Sequence, residues 1–260
     1  MKKVIDFHSH IFPDAVAQKA ADNVGNYYSL PLSGNGTLSC LLGGEVDEQT
    51  RWVVSSAALN PPKTAHINEF IHKTCISNLR LIGLGSIHRD TPDREAEIER
   101  IVSLGLKGIK LHPDFQGFDI DDPAMFPVYE QIGDRLPVLF HVGDRKSDRS
   151  HPKRLKKVAE NFPRLIIIAA HMGGYSVPEL AEEYLVGTRV YMDTSNALRY
   201  MSGEQLTDMI RRQGVDRILF GSDFPLMLTR EAYEQIRSIR LTDAEWDAVL
   251  WQNAEQLLKL

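Results

Sequence analysis

The chain alternates between short, almost wholly apolar runs and longer segments in which apolar residues recur at helical spacing. The apolar runs are Val4–Phe7, closing on His8-Ser9-His10, then Trp52–Ala57, Leu81–Ile87, Leu106–His112, Pro137–His141, Leu165–His171, Val190–Thr194 and Arg217–Asp223. Runs of this length that are apolar on both sides predict strands covered on both faces, which is the pattern of a parallel sheet under helices. Between them the spacing predicts helices over Thr64–Asn78, after Thr91-Pro92 as N-cap and first-turn proline, from Asp122-Pro123 to about Asp134, from His151-Pro152 through Ala159, over Pro178–Leu185 and from Ser202 through Arg212. Two helices close the chain, the last opened by Thr242-Asp243-Ala244-Glu245, which has the spacing of a capping box. Eight strand–helix units in one α/β domain spanning 1–260 predict a (β/α)8 TIM barrel, a fold that takes roughly 250 residues. An open doubly wound sheet competes, but no Gly-x-Gly-x-x-Gly follows any strand to mark a dinucleotide crevice.

The period fails between Phe12 and Thr50, where Gly25, Gly34, Gly36, Gly43 and Gly44 accompany Tyr27, Tyr28 and Pro31. An insertion at about 12–50 that leaves the first strand is expected to lie over the barrel mouth and to bring Tyr27 or Tyr28 near the site there. The competing expectation is a surface decoration with one or two short helices.

Composition narrows the class. The chain has 260 residues, 43% hydrophobic and 25% charged, with 30 basic against 35 acidic residues and a formal charge of -5. Those values fit a globular domain, and without a long basic run they argue against nucleic acid or an anionic membrane as partner. Lys2 and Lys3 lead directly into Asp6 and His8 instead of a long apolar core, so a cytoplasmic protein is expected. Cys40 and Cys75 form no Cys-x-x-Cys pair and are read as reduced and structural.

Active sites of such barrels sit at the C-terminal ends of the strands. The polar residues there are His8 and His10 from the first strand, Lys110 and His112 from the fourth, His141 from the fifth, His171 from the sixth and Asp223 from the eighth. Strand alternation places Asp6, His8 and His10 on one face, with Ile5 and Phe7 on the other, and lets His141, His171 and Asp223 face the lumen while Phe140 and Phe220 pack outward. Several imidazoles and a carboxylate converging at one mouth suit a divalent metal ion. His66, His72, His88 and His151 fall in helical or loop segments and are read as solvated.

Five strings, Asp6-Phe7-His8-Ser9-His10, Gly108-Ile109-Lys110-Leu111-His112-Pro113, Phe140-His141-Val142-Gly143, Ala170-His171-Met172-Gly173-Gly174 and Gly221-Ser222-Asp223-Phe224-Pro225, resemble in order those of the amidohydrolase superfamily. Within it they are most similar to the amidohydrolase-related family that includes aminocarboxymuconate semialdehyde decarboxylase-like enzymes. The resemblance implies a distorted barrel with one divalent metal held by His8, His10, His141 and Asp223, and His171 beside the water on it. Zinc is the expected ion, with manganese and iron as alternatives. A carboxylated Lys110 bridging two metals belongs to other relatives; here Lys110 is expected to act as a cation for substrate or as an ion-pair partner of Asp6, and His112 to hydrogen-bond substrate.

The expected chemistry is metal-dependent hydrolysis of a C–N, ester or lactone bond in a small molecule, with Asp223 carrying the proton and His171 orienting the nucleophile. Non-oxidative decarboxylation or hydration of an unsaturated or aromatic acid is the alternative, and a non-catalytic binding barrel is a third reading disfavoured by the presence of both His171 and Asp223. Arg145 and Lys146 beyond the fifth strand and Arg199 beyond the seventh rim the mouth, where arginine would fork onto a substrate carboxylate. Asp6 is expected to steady an imidazole or to pair with a buried cation. The oligomeric state is not readable from the sequence, although barrels of this kind commonly pair through their outer helices as a homodimer.

Overall fold

The computed structural model describes residues 3–260; Met1 and Lys2 lie outside them. Nine parallel segments build the sheet: β1 Val4–His10, β2 Thr50–Ser55, β3 Leu81–Gly83, β4 Gly85–Ser86, β5 Ile109–Leu111, β6 Val138–Phe140, β7 Ile167–Ala169, β8 Tyr191–Asp193 and β9 Ile218–Leu219. β3 and β4 are one run interrupted at Leu84, whose N–H donates to Val54 O at 2.9 Å while that of Gly85 turns to Gly108 O at 2.9 Å. At the other edge, Phe7 N–H donates to Phe220 O at 2.7 Å, Asp223 N–H to His8 O at 2.8 Å and His10 N–H to Phe224 O at 2.8 Å. These bonds return β9 to β1 and close a distorted (β/α)8 barrel.

The helices are α1 Asp14–Tyr28, α2 Leu38–Gly43, α3 Thr64–Ile76, α4 Arg94–Ser103, α5 Pro113–Gln116, α6 Phe126–Ile132, α7 Pro152–Asn161, α8 Pro178–Tyr184, α9 Gly203–Gln213, α10 Thr229–Ile236, α11 Asp243–Asp247 and α12 Asn253–Leu258. Among the described residues none is long and apolar enough to cross a membrane. The capping box opening α11 forms as expected, with Thr242 Oγ1 accepting from Glu245 N and the Glu245 carboxylate from Thr242 N. Ser202 and Gln205 build another at α9.

Side chains alternate between two apolar layers. Ile5, Phe7, Val53, Ile82, Leu139, Ile168 and Leu219 fill the lumen, whereas Val4, Trp52, Phe140, Ala169 and Phe220 face the helices. Ile5 and Phe7 therefore point inward, opposite to simple alternation from His8. The cause is a register shift in β1 between Asp6 and Ser9. An extra residue in one strand reverses the faces beyond it, so Asp6 looks outward while His8 reaches the mouth. There Asp6 accepts from Ser222 N at 3.0 Å, Thr229 Oγ1 at 2.7 Å and His8 N at 3.2 Å, and burial pushes its carboxyl up to about 6. It fixes backbone at the closure of the barrel and pairs with neither Lys110 nor an imidazole ring.

Other departures have local causes. Asp93, not Thr91, caps α4 by accepting Ala96 N–H at 3.0 Å, because Thr91 Oγ1 is taken by His88 N at 3.1 Å and Thr64 Oγ1 at 3.0 Å. Of the four histidines read as solvated, only His66 is exposed. His88 is buried and accepts Asp90 N–H at its Nδ1, His72 bonds Leu104 O, and His151 caps α7 through Lys153 N. Cys40 and Cys75 are free thiols, and burial pushes that of Cys75 up to about 12.

The insertion folds as α1 and α2, α1 being a full 15-residue helix. Gly34 ties it to the chain after β9: its N–H donates to Pro225 O at 3.0 Å, and a Cβ there would lie 2.2 Å from Phe224 Cε2. Phe224 is fully buried and follows Asp223 directly. Gly34→Ala is therefore expected to lower stability by about 1–3 kcal/mol, the usual cost of overpacking a filled core. An unchanged urea midpoint would show instead that the insertion shifts freely on the barrel.

Candidate metal centre

At three strand ends the chain leaves the ladder at the polar residue. His112 caps α5, with Nδ1 accepting from Phe115 N at 3.4 Å, while His171 and Asp223 both adopt left-handed backbone at φ 59°. For residues other than glycine this conformation is held only where surrounding bonds fix it. Asp223 N–H is held by His8 O, and His171 N–H by Asp193 Oδ1 at 3.2 Å. The strain turns these side chains in toward β1.

His8 is the centre of the group. Its Nδ1 lies 3.0 Å from Asp193 Oδ2, and since a carboxylate only accepts, Nδ1 carries the hydrogen and Nε2 a bare lone pair. Around that lone pair are His10 Nε2 at 3.1 Å, Lys110 Nζ at 3.0 Å and Asp223 Oδ1 at 3.4 Å, the last also 3.4 Å from His10 Nε2. His10 Nδ1 is occupied by Ser55 Oγ at 3.1 Å. When that nitrogen donates to the serine, two lone pairs and a carboxylate oxygen confront one another. Such a set is repulsive alone and is relieved by a cation between them, so His8, His10 and Asp223 fit a divalent metal. Three protein ligands leave coordination open for substrate, as catalytic sites require.

Burial keeps the imidazoles neutral, as ligation demands. It lowers His8 and His10, takes His112 and His141 well below the usual range, and brings His171 down to about 4. Burial also pushes the Lys110 ammonium down to about 8, against the pull of Asp223 and Asp193. For Asp193 and Asp223 burial acts upward, but His8 together with the neighbouring imidazoles outweighs it and holds both well below the carboxylate range. Asn196 Nδ2 donates to Asp223 Oδ2 at 2.7 Å and leaves Oδ1 for the centre.

Above the centre is a cavity of about 300 Å³ with His8, His10, His112, His141 and Asp223 at its floor. Phe12, Val24, Tyr27, Tyr28, Leu59 and Phe115 supply much of its wall. Helix α1 thus covers the mouth as expected, and the Tyr28 hydroxyl lies 3.2 Å from His112 Nε2 and 3.4 Å from His141 Nε2. Lys146 clamps the end of this helix by donating to Tyr27 O at 2.5 Å.

The remaining residues expected at the site are placed differently. His141 lies at the same cavity floor outside that close group, its Nδ1 bonded to His171 Nε2 at 3.1 Å and its Nε2 facing Tyr28 and Asp114 Oδ2, the latter at 3.6 Å. His171 lies beneath the cavity, its Nδ1 bonded to Ser195 Oγ at 2.8 Å. Arg145 is exposed and bound to Ser176 O and Glu179, and Arg199 is exposed on the turn Ala197–Arg199; neither lines the cavity. Asp193, Ser195, Asn196 and Asp114 were not anticipated. Asp193 ends β8 on the face of Tyr191, which packs on the lumen cluster, so the strand-end rule that found Asp223 also applies to it.

Because Asp193 fixes the ring of His8 without facing the cavity, Asp193→Asn is expected to weaken metal binding by roughly 10–100-fold, the range for groups that hold a ligating histidine. Chelator competition measures this, and an unchanged affinity would mean that His8 is oriented by other contacts.

A match of 36% identity to 2-amino-3-carboxymuconate-6-semialdehyde decarboxylase of Dictyostelium discoideum extends over 69 residues, 25% of this chain and about a fifth (19%) of that relative. Among solved structures, a dihydroxybenzoic acid decarboxylase of a Polaromonas species with bound manganese superposes with a TM-score of 0.75 at 19% identity, over 100% of this chain and 98% of the other. The 5-carboxyvanillate decarboxylase of Sphingomonas paucimobilis does so with 0.73 at 18%, over 99% of both chains. The family model described as Amidohydrolase matches residues 5–260, so the chain belongs to the amidohydrolase family and is an enzyme of that superfamily.

Proposed function

We propose that this enzyme is a metal-dependent, non-oxidative decarboxylase of a small aromatic or unsaturated carboxylic acid. The observation that carries the reading is the division of the cavity, with imidazoles and a carboxylate at its floor and mainly aromatic and aliphatic side chains above. Such a slot accepts a flat ring, would present its carboxylate to a floor that a bound metal ion makes cationic, and strips that group of water. Loss of the carboxylate into neutral carbon dioxide is favoured where charge is poorly solvated. The decarboxylases similar to this chain support the same choice, so hydrolysis, the first expectation from the sequence, takes second place.

His8, His10 and Asp223 would hold the metal, for which zinc or manganese suits the mixed nitrogen and oxygen donors. A bound ion would supply a positive charge for the acid and for the electron density that develops beside it. Phe115 and Tyr27 flank the ring, and Lys110 adds a cation beneath the floor. As the C–C bond breaks, its electron pair stays on the ring carbon, a proton carried by Asp223 takes the vacated place and carbon dioxide leaves. One proton from solvent balances the turnover of an ionised acid.

Metal-reconstituted protein is expected to release carbon dioxide from members of a panel of dihydroxybenzoates, 5-carboxyvanillate and unsaturated amino-carboxylates. Asp223→Asn should lower kcat by at least about a hundredfold, the low end of the range for a lost proton carrier. Turnover of lactones or amides in the same panel without gas release would reverse the assignment to hydrolysis.

A further inference from the structure

The cavity over the metal centre changes character from floor to mouth. Its floor holds imidazoles and the Asp223 carboxylate, whereas one wall is a single face of helix α1, where Ala20, Asn23, Val24, Tyr27 and Tyr28 recur at helical spacing. Phe12, Leu59 and Phe115 are among the residues that complete it. Leu59 and Asn23 border the cavity and are also exposed, so they mark its open end.

None of the described residues that border the cavity is Lys or Arg. The cations nearby are committed elsewhere. Lys110 is fully buried below the floor, with Nζ 3.0 Å from His8 Nε2. Lys146 donates to Tyr27 O at 2.5 Å and keeps its ammonium 5.3 Å from the centre of that ring, while Arg145 is exposed and engaged by Ser176 O and Glu179. The Asp144 carboxylate stands beside the Tyr27 hydroxyl and adds to burial in pushing that phenol up. A substrate carboxylate placed against this wall would lose water, meet no opposite charge and face a like one, each of which is unfavourable. Asn23 offers the open end an uncharged amide instead.

We propose that the cavity selects monoacids: one carboxylate enters toward the metal centre, the part of the molecule against α1 and Leu59 carries only uncharged substituents, and Leu59 is the specificity-determining residue at the open end. The inference rests on the reading above only in seating the substrate carboxylate at the floor. A hydroxyl, an ether or an amide is accepted on the wall side because it can bond Asn23 or water without bringing a charge. Discrimination against a second carboxylate arises from a missing partner, so a cation placed at the open end should undo it.

The test is calorimetric titration of zinc-loaded, full-length protein with salicylate, 5-carbamoylsalicylate and 5-carboxysalicylate, because the last two differ in charge but hardly in shape. Wild type is expected to bind the carbamoyl compound at least about tenfold more tightly than the dicarboxylate, the effect of one unpaired charge at a part-solvated wall. Leu59→Arg should bring the dicarboxylate to within about threefold of the carbamoyl compound by supplying a guanidinium fork, whereas Leu59→Gln should not. Leu59 is 55% exposed, so both variants keep the fold. Equal affinities in wild type, binding of none of the three, or a preference that Leu59→Arg leaves unchanged would overturn the proposal. Carbon dioxide release is scored separately: the expected preference without gas from any monoacid would refute the decarboxylase reading and leave the selectivity standing.

Discussion

A buried carboxylate can only accept, and Asp193 imposes that condition on everything near it. One oxygen fixes the hydrogen of His8 on Nδ1 and so turns the Nε2 lone pair toward the metal centre. The other takes the Ser195 hydroxyl and the backbone N–H groups of His171 and Ser195. Two strand ends are thereby oriented by a third that never reaches the cavity. An isolated charge at zero exposure would cost several kcal/mol, so its retention is understandable only with all these donors in place.

The barrel supplies the convergence that this carboxylate organises. Regular pairing on several strands lasts only two or three residues, and the polar residue arrives where the ladder stops. A straight continuation would carry the side chain past the mouth; the left-handed turns at His171 and Asp223 bring it back over the lumen. That strain persists because His8 O and Asp193 hold the two N–H groups concerned, so the ligands and the backbone closure share the same bonds.

How much of this could be read from the sequence depended on the range of the interaction. Strand number and the mouth positions were legible, because a strand buried on both faces must be continuously apolar and a terminal His or Asp interrupts that rule visibly. The location of the insertion was legible too, from its place after β1, although its 15-residue helix was not, since Gly25 and scattered polar residues blur its period. The facing of Asp6 was misread because a bulge changes parity without changing composition. Arg145 shows the opposite limit: a rim position is local, whereas the partner that captures it, Glu179, lies 34 residues away and can be found only in the fold. His141 was read from its own strand, but its two nitrogens answer to Tyr28, Asp114 and His171 on other elements.

Charge balance links the centre to the kind of molecule it would take. With the imidazoles neutral, the charged groups close to His8 are the carboxylates of Asp193 and Asp223 and the ammonium of Lys110. That leaves one negative charge in excess, in a region where uncompensated charge is costly. A divalent ion reverses the excess to one positive charge, and a single substrate carboxylate cancels it. A neutral lactone or amide would leave the positive charge standing under an apolar roof, whereas a monoacid closes the balance on entry. In the proposed decarboxylation the negative charge of the acid would pass to the carbon framework without leaving the pocket, until a proton removed it. On that reading the metal-loaded centre would favour the anion before the bond breaks and the delocalised charge afterwards, and the aromatic wall, which cannot hydrate a carboxylate, would give the second state the advantage.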